Sequence, residues 1–174
     1  MIARRGEKGS SVSAIEDLLG YNAGYAKQFS RGELPMPPSK QIAIVACMDA
    51  RLETGAMLGL EEGEAHVIRN AGGVVTDDVI RSLTISQRLL GTREIMLIHH
   101  TDCGMLTFTS SDVKSAIQKE TGIRPSFAME EFSDVEDDVR QSVARIKASP
   151  FLSHKDQVRG FVYEVETGRL REVA

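Results

Sequence analysis

Only two of the 174 residues are cysteine, Cys47 and Cys103, and only four are histidine, His66, His99, His100 and His154. Two thiols are too few to staple a chain of this length, so a disulfide-built secreted scaffold is excluded. No stretch reaches the roughly 18 consecutive apolar residues that a membrane-spanning helix needs. The twin arginine Arg4-Arg5 is followed by no apolar segment of a secretory signal. Basic charge is in short supply as well: 21 lysines and arginines against 25 aspartates and glutamates leave a net charge of -4, with no polybasic block. That excludes the usual electrostatic footprint of a nucleic-acid-binding protein. The glycine-rich segments lack GxGxxG and Walker spacing, so nucleotide binding has no support. There is no internal repeat and no sign of a second domain. What is present, 41% hydrophobic and 26% charged residues, suffices for one sizeable core. A reducing, cytoplasmic compartment is expected, with both thiols free unless a metal holds them.

The polar first ten residues are expected to form a disordered tail or to be a remnant of expression. From Ser11, Ala14, Ile15, Leu18 and Leu19 recur at helical spacing, and Gly20 is expected to end that helix. A second helical stretch then carries Tyr21, Tyr25 and Phe29 on one face. The prolines of 34–39 force a stiff, extended connector. Residues 42–47, 65–69 and 94–99 are short apolar runs rich in β-branched residues, as in strands buried on both faces. Between the last two lies a helix with Thr76 as N-cap, Asp77 and Asp78 in its first turn, and Val79, Ile80, Leu83 and Leu90 as its apolar face. Strand, helix, strand implies parallel pairing through a right-handed crossover. A further helix starts at Ser133 with Glu136 completing a capping box, and bears Val135, Val139, Val143 and Ile146. A late strand over 158–165 turns at Thr167-Gly168 toward Leu170 and Val173. The fold class is α/β, a mostly parallel central sheet flanked by helices with a late edge strand.

Both cysteines fall at or just beyond the carboxyl ends of predicted strands, the edge where open α/β sheets bind ligands. Two thiolates and one imidazole make a Cys2His zinc set whose fourth position stays open, the mark of a catalytic rather than a closed structural site. Strand alternation sends His99 and His100 to opposite faces, so one of them ligates. His100 is preferred because its two-residue gap to Cys103 makes a compact turn; His66 and His154 are expected to be structural or solvated. Asp49 and Arg51, just beyond Cys47, would be an ordinary surface ion pair in isolation. Beside a metal, Asp49 either accepts a hydrogen bond from bound water or ligates the metal itself, and Arg51 holds the carboxylate ionised and aimed. Asn70-Ala-Gly72-Gly73 offers backbone amides without side-chain bulk. A thiol redox role would need a Cys-x-x-Cys pair, which is missing.

With Cys47-x-Asp49-x-Arg51, His100-x-x-Cys103 and Arg69-Asn-Ala-Gly72 between them, the chain resembles the β-class carbonic anhydrases, in particular their compact actinobacterial branch, from about Tyr21 to the C-terminus. The resemblance implies a single zinc-binding domain over 11–174 with an N-terminal helical arm, and one zinc ion per subunit held by Cys47, His100 and Cys103. Asp49 and Arg51 match the family's catalytic dyad, and Gly72 and Gly73 its substrate-lining loop. The implied reaction is reversible hydration of carbon dioxide to bicarbonate and a proton, by zinc-bound hydroxide that the dyad orients. Two thiolates leave the site near neutral, which makes it a weaker acidifier of water than a three-histidine site and shifts activity to alkaline pH. Low pH is expected to let Asp49 take the fourth position. A homodimer or dimer of dimers is implied, with the helical arm embracing a neighbouring subunit, and no nucleic-acid or membrane partner. The alternatives are a carbonyl sulfide or carbon disulfide hydrolase on the same zinc site, and a non-catalytic zinc- or bicarbonate-sensing module.

Overall fold

The computed structural model describes residues 13–174; the tail expected over residues 1–10 and the start of the helical pattern at Ser11 lie outside the described residues. The chain divides after Leu34 into two compact units. In the first, helix α1 spans Ala14–Gln28, with the Ser13 hydroxyl accepting from the Ile15 amide at 3.3 Å. It runs through Gly20 without a break. A mid-helix glycine costs only about 1 kcal/mol and removes no hydrogen bond, and the apolar spacing continues through Leu18, Tyr21, Tyr25 and Phe29. Tyr25 and Phe29 stack at 5.5 Å. No residue of α1 is buried.

The second unit, Pro35–Ala174, is a five-stranded sheet with helices on its faces. Strand β1 (Ile42–Cys47) lies between β2 (Ala65–Asn70) and β3 (Glu94–His100); β4 (Val158–Glu164) and β5 (Arg169–Glu172) complete the order β2-β1-β3-β4-β5. The first four strands are parallel and β5 is the antiparallel edge, as the sequence predicts. From β1 the chain turns first to one side and then, through α3 (Asp77–Arg88), crosses to the other. A switch point therefore opens at the carboxyl ends of β1 and β3.

Alternation along the strands builds two cores. Ala43, Val45, Ile95, Leu97 and Val158 pack against Val79 and Leu83 of α3 and Val143 and Ile146 of α5 (Val135–Ala148). Ile44, Ala46 and Ile98 face Met57, Leu58 and Leu60 on the other side. The cap of α5 is Asp134, whose carboxylate accepts from the Glu136 and Asp137 amides at 2.8 and 2.9 Å. The helix starts one residue later than expected, with Asp134 rather than Ser133 as N-cap, because one Asp134 carboxylate oxygen accepts from two first-turn amides at once. Leu90 lies beyond the end of α3. Two helices carry too little pattern to be anticipated. Helix α2 (Thr54–Leu58) is a single turn and a half, and α4 (Ser110–Thr121) buries none of its residues.

Candidate metal centre

Cys47 closes β1, His100 closes β3, and Cys103 follows after a two-residue turn. Their ligand atoms all lie within 4.8 Å of one another, and all three residues are buried. The turn is made by Asp102, which adopts a left-handed conformation at φ 53°. It is anchored to the end of β4, where the Thr101 amide donates to the Tyr163 carbonyl at 2.9 Å and the Thr101 hydroxyl accepts from the Val165 amide at 3.0 Å.

The adjacent histidines separate as alternation requires. His99 turns to the α5 side, where its Nε2 bonds Asp138 Oδ2 at 2.6 Å and its ring lies 5.7 Å from that of Phe132. His100 joins the cysteines. Its Nδ1 donates to the Thr101 carbonyl at 2.8 Å, which fixes the tautomer and leaves a lone pair on Nε2. That Nε2 is fully buried and has no hydrogen-bond partner. A buried acceptor aimed at two thiols, with nothing to accept from, is costly in a protein without metal and is what an imidazole ligand requires. The donor set, two sulfurs and one nitrogen, fits zinc.

The three ligand groups also act on one another. The Cys103 thiol beside Cys47 pulls the Cys47 pKa down, against burial, with His100 and the Asp49 and Gly72 amides adding to the effect. Cys103 moves up, because the Cys47 sulfur beside it and burial both favour its protonated form. For His100, burial opposes protonation, but the Cys47 sulfur, the Thr101 carbonyl and the Asp49 charge outweigh it and raise its pKa.

Asp49 Oδ2 lies 3.7 Å from His100 Nε2. Arg51 grips the carboxylate from the far side, with Nε donating to Oδ1 at 3.0 Å and Nη2 to Oδ2 at 2.8 Å, while the Arg51 amide also donates to Oδ1 at 2.9 Å. These bonds hold the Asp49 pKa well below the usual carboxylate range. Two further residues escaped the sequence reading as parts of the site. Arg69, at the end of β2, donates to the Cys47 carbonyl at 3.0 Å and the Asp49 carbonyl at 2.7 Å, tying down the loop that carries both. Asp102 accepts from Arg51. An arginine at the end of an otherwise apolar parallel strand was the available signal for Arg69; for Asp102 there was none.

The two glycines have different places. Gly72 (φ 81°) lines the cavity beside the cysteines, where a Cβ would meet Met105 Cγ at 2.9 Å. Gly73 (φ 72°) sits beneath the strand ends, where a Cβ would come within 2.9 Å of the Cys47 nitrogen and 3.0 Å of the Ile98 oxygen. The cavity, about 430 Å³, is walled mainly by Met48, Ala71, Met105, Phe108 and Met129. His66 is structural, bonded through Nδ1 to the Ser86 hydroxyl at 2.8 Å, and His154 offers only its main chain to Gln87.

The family model described as carbonic anhydrase matches residues 42–170. Beta-carbonic anhydrase 1 of Mycobacterium tuberculosis is 64% identical over 162 residues, covering 93% of this chain and 99% of that protein. A carbon disulfide hydrolase of an Acidianus strain is 34% identical over 161 residues, covering 79% of each. Among solved structures, carbonic anhydrase from Streptococcus mutans superposes with a TM-score of 0.88 at 41% identity, over 95% of this chain and all of that one.

Proposed function

The chain belongs to the β-carbonic anhydrase family, and on that premise we propose that it hydrates carbon dioxide reversibly to bicarbonate and a proton at one zinc ion per subunit. The observation that carries this reading is the orphaned Nε2 of His100, facing two buried thiols at the foot of an apolar cavity. Zinc held by Cys47, His100 and Cys103 supplies the Lewis acidity that makes water a competent nucleophile. The remaining work falls to the chain.

The methionine and phenylalanine walls receive a small, linear, apolar molecule and keep bulk water from it. Asp49 directs Oδ2 toward the ligand cluster, where it accepts a hydrogen bond from the attacking water and so orients it. Arg51 keeps that carboxylate ionised and fixed in orientation. Arg69 fixes the loop from which Asp49 projects. Gly72 presents its amide toward the Cys47 sulfur and leaves room in the cavity that a side chain would fill.

Hydrolysis of carbonyl sulfide or carbon disulfide is the second reading, supported by the 34% identical relative; the 64% identical one favours carbon dioxide. Stopped-flow hydration of carbon dioxide beside sulfide release from carbonyl sulfide separates them. Metal analysis of Cys47→Ser and Cys103→Ser tests the site itself: both variants are expected to lose zinc, and unchanged zinc content would refute the ligand assignment.

The same proposal includes a homodimer or dimer of dimers in the cytoplasm. Its support is α1, on which Leu18, Tyr21 and Tyr25 are 66%, 74% and 52% exposed along one stripe, more apolar area than a monomer ordinarily leaves in water. Both thiols are free, and no described helix is long and apolar enough to cross a membrane. Sedimentation of a Leu18→Asp, Tyr25→Asp variant is expected to give monomer.

A further inference from the structure

Arg51 does more than hold Asp49. Of its five N–H groups, two bond the Asp49 carboxylate and two more reach across the site to Asp102: Nη1 donates to Asp102 Oδ2 at 2.7 Å and Nη2 to the Asp102 carbonyl at 3.0 Å. The same Nη2 that holds Asp49 Oδ2 therefore also binds the turn between His100 and Cys103. Asp102 makes this possible by standing at φ 53°, a conformation that costs most L-residues about 1 kcal/mol or more and that Asp tolerates better than most. Its side chain is 72% exposed and touches no metal ligand in these contacts, so packing does not explain the conformation.

We propose that Asp102 is a positioning residue for the hydration reaction: it clamps the outer edge of the Arg51 guanidinium, and thereby holds Asp49 Oδ2 in one orientation beside the ligand cluster. The inference rests on the proposed carbonic anhydrase activity but has its own consequence in the chain. Arg51 is 47% exposed. Without the Asp102 carboxylate the guanidinium loses its anchor at Nη1 and gains freedom about the aliphatic torsions of its side chain, and its bonds to Asp49 loosen with it. Asp49 then no longer keeps one orientation, and the water it would orient loses its fixed partner. One carboxylate on a tight turn thus unites the two ligand-bearing segments, 51 residues apart at the Arg51–Asp102 contact, into one rigid frame.

Asp102→Gly and Asp102→Asn separate side chain from backbone. Glycine relieves the left-handed turn and keeps the carbonyl acceptor but deletes the clamp; asparagine suits the turn and keeps an uncharged acceptor. The readouts are 15N NMR of the Arg51 side-chain N–H groups in zinc-free protein, and kcat and KM for carbon dioxide in the zinc-loaded enzyme. In the wild type, the Arg51 N–H signals are expected to exchange slowly with water. In Asp102→Gly, that protection is lost and kcat falls about tenfold at unchanged KM, the scale of a misplaced orienting group; Asp102→Asn falls between. An Asp102→Gly protein whose Arg51 signals stay protected overturns the proposal whatever its activity. A wild-type enzyme that hydrates no carbon dioxide sinks the functional reading, while the NMR comparison still decides the role of Asp102.

Discussion

Gly73→Ala, compared with Gly91→Ala, isolates what the glycine loop contributes to the metal centre. Both glycines have positive φ, 72° and 76°, so both substitutions impose the same left-handed penalty on an L-residue, about 1–2 kcal/mol. Both also gain about 0.4–1 kcal/mol through a less flexible unfolded chain. They differ in surroundings. A Cβ at Gly91 meets nothing within 4 Å, whereas one at Gly73 meets the Cys47 nitrogen at 2.9 Å and the Ala46 carbon and Ile98 oxygen at 3.0 Å. These are backbone atoms of the two central strands, and no side-chain rotation relieves them. Relief requires shifting the loop or the strand end, an overpacking cost of about 1–3 kcal/mol. Gly91→Ala should therefore destabilise by about 1 kcal/mol or less and Gly73→Ala by about 2–4 kcal/mol. Urea titrations with a chelator present remove the contribution of metal binding from the comparison. Because the displaced atoms carry Cys47, Gly73→Ala should also bind zinc more weakly than Gly91→Ala. Equal midpoints for the two variants would refute the argument that the loop is wedged against β1 and β3.

Arg51→Gln is expected to raise the Asp49 pKa toward the ordinary carboxylate range, though not fully into it: the Arg51 side-chain bonds are the main reason it is depressed, and the backbone amide of residue 51 still donates to Oδ1. A depressed carboxylate stabilises the fold above its unfolded pKa and loses that contribution as the pH falls through the folded one. The variant should thus unfold at higher pH on acidification, and the Asp49 carboxyl 13C signal should titrate at higher pH than in the wild type. An Asp49 signal that titrates no higher in the variant would assign the depression to another group. Asp138→Ala leaves Nε2 of His99 buried and unpaired, beside an Nδ1 that already lacks a partner. A loss of about 1–3 kcal/mol in urea at unchanged zinc content is expected, and a loss of zinc would place His99 in the site after all.

Much of this architecture was legible because its elements are buried on one or both faces. Ile42–Cys47 is apolar throughout, β3 is apolar from Ile95 to Ile98, and α3 and α5 carry their stripes at helical spacing. Elements that bury little left no such imprint. Helix α4 packs no residue into the core, and α1 hid its continuity because a glycine in the middle of an exposed helix resembles an end. The ligands could be read from their motifs, and the choice between His99 and His100 followed from strand alternation. The braces could not. Arg69 reaches carbonyls 20 and 22 positions away, and Arg51 reaches Asp102 across 51; local periodicity holds no trace of bonds that exist only once the strands are side by side.

The placement of the ligands on separate parallel strands also sets the order in which the molecule is assembled. Cys47 ends β1 and the His100–Cys103 turn follows β3, so no short fragment contains the site. Closing the roughly 50-residue loop between them costs about 3.5 kcal/mol of chain entropy, and strand pairing through the crossover meets that cost before a metal can bridge the gap. Zinc therefore need not nucleate this fold as it does a zinc finger, whose ligands lie within one small unit. It docks onto an edge already built, as a late clasp. A cell short of zinc would then accumulate folded, unloaded protein rather than unfolded chain, a reserve that becomes active as soon as metal returns.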